Sequence, residues 1–446
     1  MSRSHLIPLV LLLGCPGDDE SPAADDGTAT GTATTSTSGG TATDSGSDTE
    51  PTTTLPVTAT DSGSDTGTDT GTDTGPTGCM TDDDCPDPDF PGCAASGECV
   101  TCDQAPSPTD ACVSLDAGTD ICDGNICVQC TTQTPDACDG TTPVCDGDTF
   151  SCVACTEHAD CPDTACNLPT GACIEGSVVH VDGDGGRDAD TIADGLAMLA
   201  AGDGVLVIHE QGGQQSYQES VTHDGGTVAF LAASGEAPTW QGTGAPTLTV
   251  TGTATALLAD MTMRLNGDAE GLRVDGATAY VQRSRLVQNT GGGIVALGGA
   301  ELVVENCFVA GALDVSAVNV QSSNAAIVYS TVGTTTLGSV AALTCNGAAT
   351  VGLRNSIVAT NGGAPGTELG CGLDVGVGNW TEDAFEALDP SWFSNFNNGD
   401  YLLTPSGDAT FADIATWQTG DPHTDIDGQP RVAIDGQAEH AGADVP

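Results

Sequence analysis

Four carboxylates on one glycine-rich turn are the clearest candidate for chemistry in this chain. They lie in Asp182-Gly183-Asp184-Gly185-Gly186-Arg187-Asp188-Ala189-Asp190. Hard oxygen ligands at near-alternate positions suit Ca²⁺, so Asp182, Asp184, Asp188 and Asp190 are the expected metal ligands. An EF-hand loop needs glycine where Arg187 stands, which excludes that motif. The alternative is a polar turn in which Asp190 caps a helix over the following residues. No other cofactor is called for.

Four arginines, Arg264, Arg273, Arg283 and Arg285, fall close together. Ion pairs along a solvated face explain such a cluster, each worth about 0–1 kcal/mol. The repeat described below sets Arg283 over Glu305. The seven histidines form no His-x-x-x-His pair. No Gly-x-Ser-x-Gly elbow or phosphate loop is present. Eight of the sixteen aromatic residues lie between Trp380 and Trp417. They could stack on sugar rings, but the expectation is that they close the C-terminal end of the fold.

These groups need elements to hold them, and the chain divides by composition. Arg3 precedes an apolar run, Leu6 to Leu13, too short to span a bilayer. It ends in Leu12-Leu13-Gly14-Cys15, which resembles the lipobox of bacterial lipoproteins. The resemblance implies removal of residues 1–14 and a lipid on Cys15, giving membrane attachment without a transmembrane helix. Residues 15–78 are a Thr/Ser/Gly/Asp-rich linker expected to be a disordered tether. The whole chain has 63 acidic residues against 8 basic ones, a formal charge of −55, and all eight bases are arginine. That balance repels nucleic acid and polyanionic polymers, and leaves neutral glycans and cell-surface partners open.

Residues 79–175 hold sixteen of the twenty cysteines in four groups of four. The groups are joined by the same step, as in Cys99-Val100-Thr101-Cys102 and Cys127-Val128-Gln129-Cys130. Each group is too small for a core, so disulfides must constrain it. Four cysteines allow three pairings, which remain open here. The spacing also suits zinc, which an exported segment with an even cysteine count disfavours. The pattern resembles short Cys-rich repeats of bacterial surface proteins.

A second repeat runs through residues 176–446. Val250, Val274, Leu297, Val320, Cys345 and Cys371 recur at steps of 24, 23, 23, 25 and 26. Met263, Val287, Val309, Val332 and Val358 follow half a period behind. Two β-rich runs per period with Gly or Asn at the corners describe one coil of an all-β parallel solenoid. Cys345 and Cys371 fall in one slot of adjacent coils, about 4.8 Å apart, and are expected to bond. Cys307, beside Met261, Arg285, Ser330 and Ser356, is then a free buried thiol.

The opening phrases Val181-Asp182-Gly183-Asp184-Gly185-Gly186, Ala201-Gly202-Asp203 and Tyr217-x-Glu219 are similar to those of the pectin-lyase-like superfamily. So is the finish, Leu388-Asp389-Pro390, Gly399-Asp400-Tyr401 and Asp425-Ile426-Asp427-Gly428. The resemblance implies a right-handed single-stranded parallel β-helix over residues 178–446, with a short helix that plugs its open N-terminal end and blunts its sheet edges. Lyases of that superfamily need a basic residue, and its polygalacturonases need Asn-Thr-Asp, Asp-Asp and Gly-His-Gly segments that are absent. The expected function is therefore a surface lipoprotein, exported to the outer membrane or cell surface, that presents a β-helix for adhesion or glycan binding. A polysaccharide lyase or glycoside hydrolase is the alternative.

Overall fold

A computed structural model describes residues 78–446, except 116–117, 200–201, 214, 313–314, 336–339, 362–368, 372–377 and 383–386. Cys15, the segment 1–14 and the linker up to residue 77 lie outside the described residues, as does Phe385. The cysteine-rich segment forms four two-stranded antiparallel ribbons. Each ribbon sets its third and fourth cysteines directly across from one another, as Cys93 and Cys99 or Cys122 and Cys127. Both then reach back to the segment before them, which in the second unit is partly the helix Pro108–Leu115. One pairing, first to third and second to fourth, is used in all four units: Cys79–Cys93 with Cys85–Cys99, Cys102–Cys122 with Cys112–Cys127, Cys130–Cys145 with Cys138–Cys152, and Cys155–Cys166 with Cys161–Cys173.

From Ser177 the chain winds into a parallel β-solenoid. Each complete coil carries three strands, where the sequence reading expects two. In one coil they are Thr255–Ala259, Thr262–Arg264 and Leu272–Asp275. Equivalent strands of successive coils pair in parallel to give sheets of eight, eight and seven strands. The first sheet is the one the sequence hides. Its strands follow the third-sheet strands after a corner of only two or three residues, 252–254 before this coil, so the two read as one run. Side chains alternate across each strand. Ala256 and Leu258 enter the solenoid core with Val250, Met263 and Leu272, while Leu257 points outward.

Two rungs correct the expected register by one residue. Ala296, not Leu297, lies between Val274 and Val320; Leu297 pairs with Asp275 on the outer face. The double glycine Gly298-Gly299 misaligns that corner, because Gly298 is the one that stacks in place of Gly276. Likewise Leu286, not Val287, lies between Met263 and Val309. Both residues are buried, Leu286 inside and Val287 outside, so hydrophobicity alone does not choose between them.

The corner between the first and second sheets turns at Asp260, Arg283, Asn306, Tyr329 and Asn355, all left-handed with φ between 42 and 62°. The next position in each coil is Met261, Ser284, Cys307, Ser330 or Ser356. Ser284 therefore replaces Arg285 beside Cys307. The serine hydroxyls bridge coils: Ser330 Oγ accepts from Cys307 N–H at 3.1 Å and donates to the Val328 carbonyl at 3.0 Å. Cys307 takes the serine role, its Sγ 3.2 Å from the Glu305 carbonyl, and burial pushes its thiol up to about 12. Cys307→Ser is therefore expected to change stability by no more than about 1 kcal/mol. Thermal unfolding of the variant checks this; a much larger loss would remove the equivalence of the two side chains. Cys345 and Cys371 are bonded across one rung of the third sheet, with Cα atoms 4.9 Å apart.

Two of the three outer faces are covered. Ala165 and Ile174 of the fourth cysteine unit pack on Val205, Ala229 and Leu257 of the first sheet. His158 of the same unit is half-buried near Arg283 and Asp260 with both ring nitrogens shielded, and this desolvation pushes its ring down to about 4, so it is neutral at pH 7. The C-terminal segment covers the second sheet. Phe308, Tyr329, Ile357 and Trp380 of the solenoid pack with Trp392, Phe393, Phe396, Tyr401, Phe411 and Trp417. The aromatic segment thus lies along the flank over several coils and is not confined to an end closure. The seven rings among the described residues are buried, which removes those seven as an exposed sugar platform.

Candidate functional site

The first coil holds the loop from which calcium binding is expected. Asp182 Oδ1 accepts from Asp184 N–H at 3.0 Å, Asp184 Oδ2 from Gly212 N–H, and Asp188 Oδ2 from His180 N–H at 2.8 Å. Among the described residues, the sets of three possible ligand atoms lying within 4.8 Å of one another are all cysteine sulfurs, each in a disulfide. The structure does not bring the four aspartates together in such a set. Asp190 is also not the helix cap. Helix Ile192–Met198 is capped by Thr191, whose Oγ1 accepts from Asp194 N–H at 3.0 Å.

The Tyr217-x-Glu219 phrase has a structural role at this opening. The Glu219 carboxylate accepts from Ile192 N–H at 2.8 Å and Ala193 N–H at 2.9 Å, so it closes the positive end of the helix. Tyr217 accepts from Gly183 N–H at 3.2 Å and places its hydroxyl 2.8 Å from the His209 carbonyl. Burial is the first cause that pushes this phenol up to about 12. Both residues tie the loop and the helix to the first coil.

The same region assembles a string that His-x-x-x-His spacing cannot show. His180 Nδ1 lies 3.1 Å from His209 Nε2, and His209 Nδ1 lies 3.1 Å from Glu236 Oε1. The other oxygen of Glu236 accepts from Glu210 N–H at 2.6 Å, and this bond is the first cause holding its carboxyl below the usual range. The separations are 29 and 27 residues. Each is slightly more than one coil, and that period was the signal available in the sequence.

The four arginines are not one cluster. Arg273 pairs with Glu270 on the third sheet and Arg283 with Asp260 at a corner. Arg285 pairs with Asp427 and lies 5.2 Å over the Phe308 ring. The expected stack of Arg283 over Glu305 is corrected too. Gln282 is the register partner of Glu305 and donates to it at 3.0 Å.

The third sheet is the outer face to which neither apolar covering extends. Thr249, Arg273, Val295, Asn319 and Thr344 form one outward row. Thr251, Asp275, Leu297, Gln321 and Asn346 form the next. None of them joins an apolar cluster. Seven strands at about 4.8 Å spacing make this face roughly 30 Å long. It carries amide, hydroxyl and carboxylate groups in straight rows, with Thr344 Oγ1 donating to Ser316 Oγ at 3.0 Å. The Asn319 Oδ1 atom has no hydrogen-bond partner and is shielded. Such a face can bind an extended polymer by repeated polar contacts.

A family of unknown function (DUF8331) has a sequence model that matches residues 63–179. The match spans the disulfide module and ends on the first solenoid strand, about a quarter of the chain. None of the curated proteins matches the chain. Nine disulfides among the described residues mark an oxidising environment. No helix among the described residues is long and apolar enough to cross a membrane.

Proposed function

We propose that this protein is a surface-displayed glycan-binding protein, held to the membrane by a lipid on Cys15, which uses the third sheet of its solenoid as the binding face. The observation that carries the reading is selective covering. The apolar first and second faces are packed under other parts of the chain, and the third presents ordered polar rows. The charge of −55 favours a neutral glycan over an anionic one. The solenoid and its opening and closing phrases support a place in the pectin-lyase-like superfamily, and the binding role needs no catalytic group.

The test is a glycan array with the purified exported portion, followed by quantitative binding to each hit. Binding to neutral polysaccharides is expected, with Asn319→Ala/Gln321→Ala weakening it at least tenfold, about 1.4 kcal/mol. Absence of binding across the array, or undiminished binding by the double variant, would reject this face. Depolymerisation of a bound polysaccharide would replace the binding role with that of a lyase or hydrolase.

A further inference from the structure

We propose that His180 and His209 bind a divalent transition-metal ion of the Zn²⁺ or Cu²⁺ class at the first coil. The argument rests on how the two imidazoles face each other. His180 Nδ1 and His209 Nε2 are 3.1 Å apart, with ring centroids 5.4 Å apart and planes inclined by 29°. Two nitrogens each about 2.0–2.1 Å from one zinc ion, at a bite angle near 100°, are separated by roughly 3.1–3.2 Å. The nitrogens already stand at the separation of two ligands sharing one metal.

The surroundings hold that separation. His180 lies on strand Ser177–Val181, with its backbone N–H on Asp188. His209 follows the neighbouring strand Gly204–Ile208, and its backbone N–H donates to the Val181 carbonyl at 2.9 Å. His180 therefore stands on a strand and His209 directly at the end of the strand paired with it, held there by that backbone bond. Behind His209, Glu236 accepts at Nδ1, which leaves Nε2 with its lone pair facing His180. A carboxylate behind a histidine in this way fixes the tautomer and strengthens the ligand.

Without metal, the 3.1 Å contact is an N–H···N bond donated by His180 Nδ1 to His209 Nε2. Metal binding moves the His180 proton from Nδ1 to Nε2. That shift within the ring releases no net proton. Water can complete the coordination. The acidic chain raises the local concentration of cations, while the soft nitrogen pair selects transition metals over Ca²⁺ and Mg²⁺.

The experiment uses the disulfide-bonded protein, titrated calorimetrically with Zn²⁺ in excess Ca²⁺ to occupy the many surface carboxylates. One saturable Zn²⁺ site is expected. His180→Gln or His209→Gln should each weaken it at least tenfold, and Glu236→Gln by about 10–100-fold. His440→Gln, at the separate Asp408–His440–Glu439 cluster, should leave it unchanged. Electron paramagnetic resonance of one equivalent of Cu²⁺ on the unaltered protein should show two imidazole nitrogens, a reading independent of whether a variant folds. No saturable Zn²⁺ binding, fewer than two nitrogens, or binding that survives loss of both His180 and His209 would overturn the site.

Discussion

Reduction under otherwise native conditions is expected to unfold residues 79–173 while the solenoid keeps its own thermal transition. The four ribbons are two or three residues per strand and bury little beyond their own sulfurs. The cluster at Cys155, Cys161 and Cys166 adds only Val144 and Leu168 as apolar neighbours outside the cysteines. An isolated two-stranded ribbon of this length is not stable in water. Its disulfides close loops of 11 to 20 residues, each worth about 3 kcal/mol through the unfolded chain. Two bonds per unit thus contribute about 6 kcal/mol, which nothing else in the unit replaces. The solenoid has one bond, Cys345–Cys371, across neighbouring rungs already joined by backbone pairing. Calorimetry before and after reduction, with limited proteolysis to locate the unfolded part, reads this directly. A reduced module that still resists protease would mean that packing, and not cross-linking, holds it.

Removal of one ring should free the opposite flank. Trp380 closes the second sheet, is about 1 % exposed, and meets Trp392 and Phe411 edge-on at 5.6 and 5.4 Å. Trp380→Ala deletes the contact between the last coil and the covering segment and leaves a cavity under Trp392. A loss of about 3–5 kcal/mol is expected, as for other buried aromatic truncations. Because the segment folds over the flank without strand pairing to it, the loss should appear as release of residues 388–446. Near-ultraviolet dichroism should fall and new protease cuts should appear there. A stability change below about 1 kcal/mol with the segment still protected would show that Trp380 does not anchor it.

The coil period was legible because a parallel ladder repeats its inward residues at every turn, as Val250, Val274 and Val320 do. It was legible only to within one residue where both faces of a strand are apolar, as at Leu286 and Val287. The sequence also shows four disulfide units, but three pairings satisfy its spacing equally. The folded units use one of them, first to third and second to fourth, which depends on how the preceding segment lies against the ribbon. His180, His209 and Glu236 escaped notice because they are neighbours through stacking and not through any local spacing. The third face, free of an apolar covering among the described residues, could not be read at all, since its definition depends on what covers the other two.

The two coverings meet near one coil, and this limits how such a chain can lengthen. The cysteine unit packs over the first sheet from Val205 to Tyr280, and the C-terminal segment over the second from Val287 onward. Arg283 and Arg285 stand at the seam, one near His158 of the first covering and one paired with Asp427 of the second. A whole coil gained or lost within either covered stretch would slide that packing by one rung, about 4.8 Å, and separate its apolar partners. A coil added between Tyr280 and Val287 would part the two coverings and leave each on its own footing. Growth by duplication, ordinarily open to every rung of a solenoid, is thereby confined in this protein to one joint.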